Sequence, residues 1–225
     1  MNNRATTVAC FALAMLLMVG CAGKVHYPDY YMLSIAPSPD PPSSDNHKLS
    51  AIAIQRFETP AYLRQGRIVY RQTPEQIGFY DYHRWASDPG QVVTGAVMDS
   101  VRAAGIFSFV EAYDGQENAE YLLSGRLERL DEVDYTTGVH VEVKLSAQLV
   151  NRKTGAAVWT GNTTTTTTVS QREVSSVVSG MDQATQKGVQ ELIGDMKKQL
   201  AATMRTAEAS GASAENNALD SGIQK

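Results

Sequence analysis

From Val139 to Val150 the chain reads Val-His-Val-Glu-Val-Lys-Leu-Ser-Ala-Gln-Leu-Val, and apolar and polar side chains alternate along almost all of it. A period of two sends successive side chains to opposite faces of a strand, so this segment has one buried and one wetter face. Long strands are predicted on both sides of it. Tyr121 to Leu130 alternates once past Gly125. Asn151-Arg152-Lys153-Thr154-Gly155 predicts a turn, after which Ala157–Gly161 and Thr163–Thr168 predict a third strand. The threonine run is low in complexity, but its β-branched side chains suit a pleated surface. A glycosylated or unstructured stalk is the competing reading.

Shorter elements precede this sheet. Strands are predicted at Tyr30–Ile35, Leu49–Phe57 and Arg67–Arg71, with Ile77–Tyr80 as the hairpin partner of the last across Thr73-Pro74-Glu75. Pro37, Pro39, Pro41 and Pro42 make 36–48 a loop. Asp88-Pro89 opens a helix, because Asp caps free N–H groups and proline at the first helical position loses nothing. Val93, Ala96, Val97, Val101 and Ala104 give it one apolar face, and Gly105 is the expected stop. Ile106–Val110 predicts a strand and Asp114-Gly115 a turn. A stripe from Val174 through Met181, Leu192 and Met196 to Leu200 predicts a long amphipathic helix over 172–205. Such a stripe is more often core than a binding groove. The remaining residues, 205–225, offer almost nothing to bury and read as an unstructured tail. The expected fold is α/β or α+β: a mixed, mainly antiparallel sheet with two helices on one face.

The N-terminus carries a different signal. Arg4 is followed by the apolar run Val8–Val19, then Gly20-Cys21. A basic start, a short apolar stretch and a small residue at the cut make a secretory signal, and the run is too short to span a bilayer. Met18-Val19-Gly20-Cys21 is similar to the bacterial lipobox, which implies cleavage before Cys21 and acylation of its thiol. An ordinary cleaved signal that happens to contain cysteine is the alternative. Cys10 leaves with the signal, so the mature chain keeps one cysteine and cannot close an internal disulfide. The expected organisation is therefore a signal peptide over 1–20, a lipidated tether over 21–29, a periplasmic domain over 30–204 and the tail. Ala22 is not the aspartate that resemblance links to inner-membrane retention, which favours the outer membrane, facing the periplasm. The whole chain has a net charge of −4, and that mild acidity argues against a nucleic-acid partner.

A search for chemistry finds no catalytic site, no metal site and no cofactor motif. There is no Gly-x-Ser-x-Gly elbow and no phosphate-cradling glycine loop. His83 in Asp81-Tyr82-His83-Arg84-Trp85 has no second histidine at ligand spacing. An acylated Cys21 cannot act as a nucleophile. What stands out is a stretch where aromatics and arginines interleave: Tyr62, Leu63, Arg64, Tyr70, Arg71, Tyr80, Arg84 and Trp85. Aromatic and arginine side chains are enriched as interface anchors. Two readings stay open here, an interaction surface and plain core packing with solvated arginines. A related one has the arginines on lipid phosphates with the aromatics over acyl chains.

The motifs Tyr31-Met32-Leu33, Pro60-Ala61-Tyr62-Leu63, Arg67–Arg71, Tyr80, Arg84-Trp85-Ala86, Ala119–Leu127 and Thr154–Trp159 occur in an order and spacing that resembles the auxiliary lipoproteins of ABC-type transport systems. This is the PqiC-type family, companion to MCE-domain lipid transporters. The resemblance runs from about Tyr30 to Leu200. It implies a domain similar to the N-terminal domain of TolB and a non-enzymatic role in moving lipids between the inner and outer membranes. The implied partners are an MCE-domain protein and, through it, an inner-membrane ABC permease and ATPase, with neighbouring copies in a ring as a further option. A periplasmic lipoprotein that binds a lipid or small ligand without an MCE partner is the alternative.

Overall fold

The computed structural model describes residues 26–36, 48–116, 118–134 and 138–221, with side chains described as far as Thr206. Cys21, the expected signal peptide and the proline-rich loop lie outside the described residues, apart from the ends of that loop. In chain order the elements are β1 (Asp29–Tyr31), β2 (Ile52–Ile54), a 3₁₀ turn (Leu63–Gln65), β3 (Arg67–Arg71), β4 (Ile77–Trp85), α1 (Pro89–Ala104), β5 (Val110–Ala112), β6 (Tyr121–Val133), β7 (Val139–Asn151), β8 (Ala157–Val169) and α2 (Val174–Ser221).

The three long strands form an antiparallel meander, β6–β7–β8, paired along nearly their whole length. On the other side of β6 the sheet forks. The start of β6 pairs in parallel with β2, which pairs in parallel with β5. The end of β6 pairs in parallel with β3. Beyond β3 come β4, antiparallel as the hairpin predicted, and then β1, parallel at the edge. The parallel pairings are short, so the mixed sheet is mainly antiparallel.

The period of two in β7 is realised as drawn. Val141, Val143, Leu145 and Leu149 are fully buried, opposite Leu123, Leu127 and Leu130 of β6 and the inward residues of β8. On β8 the threonine tract is strand throughout. Thr165 turns inward, where its hydroxyl donates to the Ala184 carbonyl at 2.7 Å, while Thr164, Thr166 and Thr168 face outward and exposed. Trp159 packs on the same inward face and its indole N–H donates to Asp195 at 3.0 Å. Across β7 and β8 lies α2, burying Val177, Met181, Ala184, Leu192 and Met196, and α1 lies beside it with Val93, Val97 and Val101 buried.

The caps of α1 follow from single residues. The Asp88 carboxylate accepts from the Gly90 and Gln91 amides at 2.8 and 3.3 Å, satisfying donors that the first turn leaves open. At the other end Gly105 sits at φ 66°, a left-handed conformation that suits glycine.

Several boundaries differ from the predicted ones. β1 ends at Tyr31 because the chain leaves the sheet to reach α2, where the Ser34 amide donates to Asp182 at 2.9 Å. β2 shrinks to three residues, and its flanks keep only single bridges, Leu49 to Phe107 and Glu58 to Arg126. β5 starts at Val110 rather than Ile106, since Ile106 and Phe107 are spent on core packing. The backbone of α2 continues past Arg205 to Ser221, through the stretch read as a tail. Alanines at 201, 202, 207 and 209, with no proline after Pro89, favour that continuation.

Candidate functional site

The stretch singled out by its aromatics and arginines occupies the 3₁₀ turn, β3 and β4. The strand pleat divides it between two faces of the sheet.

On the face away from the helices, Arg71 is the centre. Its Nε donates to Asp131 Oδ2 at 2.5 Å, and its Nη1 donates to the Pro74 carbonyl at 3.1 Å. Asp131 is on β6 and its side chain is wholly buried. Directly opposite it on β7 stands Glu142. Two carboxylates at facing positions repel. Two guanidinium groups offset this: Arg71, and Arg129, which pairs with Glu142 and lies 3.7 Å from the same Asp131 oxygen. Burial pushes the Asp131 carboxyl above its usual range, against the pull of Arg71 and Arg129. Asp131 Oδ1 has no hydrogen-bond partner among the described residues. Tyr62 covers this network. Its hydroxyl donates to the Glu128 carbonyl at 3.1 Å and its ring lies 5.9 Å from the Arg71 guanidinium. Burial also raises the Tyr62 phenol, with the Asp131 charge adding to it.

On the face toward the helices the chemistry is phenolic. The Tyr80 hydroxyl donates to Glu132 at 2.6 Å, and Tyr70 meets the Tyr80 ring edge-on at 5.2 Å. The Tyr70 ring lies against Gly78, where any Cβ would run into it. Burial and the hydrogen-bonded Glu132 carboxylate push the Tyr80 phenol far up. Tyr31 and His83 continue the row, joined at 3.2 Å, with the His83 ring 5.6 Å from Tyr80.

The predicted surface is thus only partly a surface. Leu63 and Trp85 are 1% and 6% exposed and belong to the core, which corrects their assignment to an interaction face. They fall there because the 3₁₀ turn folds back over β3 and the end of β4 closes beneath it, as the amide of Trp85 donates to the Gly66 carbonyl at 2.8 Å. Tyr62, Tyr70, Arg71 and Tyr80 are half-buried and engaged within the domain. Arg64 stays exposed while holding the Thr59 carbonyl at 2.5 Å, and Arg84 is partly exposed with no ion pair among the described residues. Sequence reasoning missed Asp131, Arg129, Glu142 and Glu132, which complete both networks.

The described residues also form a shallow polar groove of about 420 Å³ on the open sheet face, lined by Gln55, Glu58, Ser124, Arg126, Gln148 and Thr160 among others. No three His, Cys, Asp or Glu side chains among the described residues converge as metal ligands. No described helix is long and apolar enough to cross a membrane.

Residues 31–192 match the family model of the ABC-type transport auxiliary lipoprotein component. The chain belongs to this family. It is therefore an auxiliary lipoprotein of an ABC-type transport system in the cell envelope, a role that implies partner proteins, and the family is one of transport auxiliaries rather than enzymes. Among solved structures, a Xanthomonas campestris protein of the DUF330 family is similar, with a TM-score of 0.66 at 16% identity over 79% of this chain and 99% of that one. A second, uncharacterized protein has a TM-score of 0.58 at 12% identity, covering 77% and 99%. At these identities the likeness is one of fold. No sequence among the curated proteins matches the chain.

Proposed function

We propose that this chain is the lipid-anchored docking component of an MCE-class ABC system. In this reading Cys21 carries the acyl anchor in the outer membrane and the domain faces the periplasm. There it holds the far end of a bridging MCE-domain protein while lipid passes between the two membranes. The observation that carries the reading is the family match across residues 31–192, which begins just after a lipobox-like Cys21. The open, polar character of the groove on the sheet face supports a role in gripping a macromolecule over one in enclosing acyl chains. Partner capture falls to side chains that remain exposed beside the 3₁₀ turn, Arg64 and the outer edge of Tyr62.

An anchor raises the effective concentration of the domain near a partner at the same membrane. Affinity purification of the full-length tagged chain from solubilised envelopes tests this. The expected result is co-purification of an MCE-domain protein, reduced at least about tenfold by Cys21→Ser through loss of that concentration effect. No MCE-domain protein recovered with the anchor intact would overturn the proposal.

A further inference from the structure

Of the six large apolar side chains left in solvent among the described residues, four fall together, while Phe109, just before β5, and Val158, on β8, stand apart. Tyr27, Tyr30, Met32 and Tyr82 are 78%, 64%, 62% and 48% exposed, and all four lie on β1, β4 or the residues flanking β1. Strand register ties Tyr30 to the face of two arginines. Tyr30 stands opposite Arg84, and Arg84 stands opposite Arg67 across the β3–β4 pair. Tyr82 stands exposed on β4 two residues before Arg84, with the His26 ring 4.4 Å from it, and Tyr27 and Met32 lie just outside the two ends of β1.

Two arginines at facing positions are unfavourable unless an anion lies between them. Among the described residues neither Arg67 nor Arg84 forms an ion pair. The nearest acid on β1, Asp29, is turned to His83, 3.8 Å away on the other face. The patch is therefore tyrosine, methionine and unmatched guanidinium. Tyrosine settles at the level of lipid headgroups, and guanidinium pairs bidentately with phosphate.

Chain length supplies the occupant. Asp29 is eight residues after Cys21, so the β1 edge stays within about 28 Å of an anchored Cys21 even with the tether fully extended. We propose that this edge lies on the bilayer that holds the anchor, with Arg67 and Arg84 on lipid phosphates and Tyr27, Tyr30, Met32 and Tyr82 at headgroup depth. The domain is then held in one orientation, with β5, at the far end of the sheet path from β1, pointing away from the membrane. The inference rests on the lipid-anchored reading of Cys21.

The test uses the mature lipidated chain in phosphatidylethanolamine–phosphatidylglycerol vesicles. A single reporter cysteine, Met32→Cys or Ala112→Cys on β5, carries an environment-sensitive fluorophore, and spin-labelled lipids act as quencher. The expected result is quenching at position 32 and none at position 112. Arg67→Ala with Arg84→Ala should lower the docked-to-undocked ratio about 30-fold, since each cation near an anionic surface contributes about fivefold. The paired Lys variants should retain most of the quenching. Equal signals at 32 and 112, no quenching at 32, or quenching that survives the double Ala change would overturn the inference. Labelling of the unsubstituted mature chain would mean a free Cys21 thiol, sinking the anchor reading and the docking with it. An unlabelled parent chain with a silent probe at 32 sinks the docking alone.

Discussion

Replacing Arg71 by methionine should destabilise the domain far more than its position in a half-exposed hairpin suggests. The change removes the side-chain hydrogen bond from Arg71 to the Asp131 carboxylate, whose side chain is wholly buried. Arg129 stays 3.7 Å away, beyond hydrogen-bonding distance, and shares its charge with Glu142. Stripping one partner from a buried ion pair costs about 3–5 kcal/mol, because it leaves a desolvated charge behind. For a domain of this size that is a fall in Tm of about 6–20 °C. Methionine is chosen to keep apolar volume against Tyr62, so the loss reports on charge rather than a cavity. The paired change Arg71→Met with Asp131→Leu removes both charges and should return to within about 1 kcal/mol of the parent, since apolar replacement of a buried pair is often neutral or better. Acid should also help the single variant. Loss of Arg71 removes an influence that lowers the Asp131 pKa, so its carboxyl protonates at a higher pH than in the parent. The deficit then shrinks as pH falls. Urea and thermal unfolding by circular dichroism at pH 7.5 and 5.5 measure all three. A single-variant loss below about 1 kcal/mol, or a double variant as unstable as the single one, would refute the assignment of Arg71 as an internal counter-charge.

Two further outcomes follow from the same physical picture. Asp88→Ala should lower stability by about 1 kcal/mol through the lost helix cap, while Arg56→Ala, which breaks only the exposed ion pair to Asp88 at 2.9 Å, should change it by under about 0.5 kcal/mol; urea midpoints compare the two, and equal losses would assign the effect to the ion pair instead. Burial raises the Glu132 carboxyl above its ordinary value of 4.5, with Tyr80 opposing and Asp134 assisting, so the folded state keeps a proton that the unfolded chain releases and stability falls as pH rises through that window. Glu132→Gln removes this share of the slope, and its stability relative to the parent should be greater at pH 7 than at pH 5; an unchanged difference at the two pH values would contradict the direction of the shift.

What could be read from the chain depended on how far apart the deciding residues were. β7 was legible because its period of two is local, and α1 because Asp88-Pro89 and Gly105 mark its ends within a few residues. The hairpin of β3 and β4 was likewise local. The networks were not, because Arg71 meets Asp131 sixty residues later and Tyr80 meets Glu132 after fifty-two. Their faces depend on one irregularity. Between Leu127 and Leu130 stand two polar residues, Glu128 and Arg129, and the register of β6 slips there. Without the slip, strict alternation would send Asp131 to the helix side with Leu127 and turn Glu132 away from it. The slip inverts both, so Asp131 faces Arg71 and Glu132 faces Tyr80. An apolar pair separated by two polar residues inside an alternating run is the signal that could have exposed this.

The aromatics of 62–85 posed a different problem, since cores and interfaces draw on the same residue types. Composition alone cannot separate Trp85, which is buried, from Tyr82, which is exposed three residues away on the same element. Pairing separates them. On β1 and β4 the inward set is Tyr31, His83 and Trp85, and the outward set is Tyr30, Tyr82 and Arg84. The inward set packs within the domain, with Tyr31 joined to His83 and Trp85 in the core. The outward set has no acid among the described residues to match its charge, its one described ring neighbour is His26 against Tyr82 at 4.4 Å, and it stands where the tether enters. A surface that is apolar and cationic at the anchored end of a lipoprotein is best satisfied by the membrane itself. With that edge on the bilayer as proposed, the open sheet face and the exposed turn around Arg64 would be left for protein partners, and anchoring and capture would use different parts of one small domain.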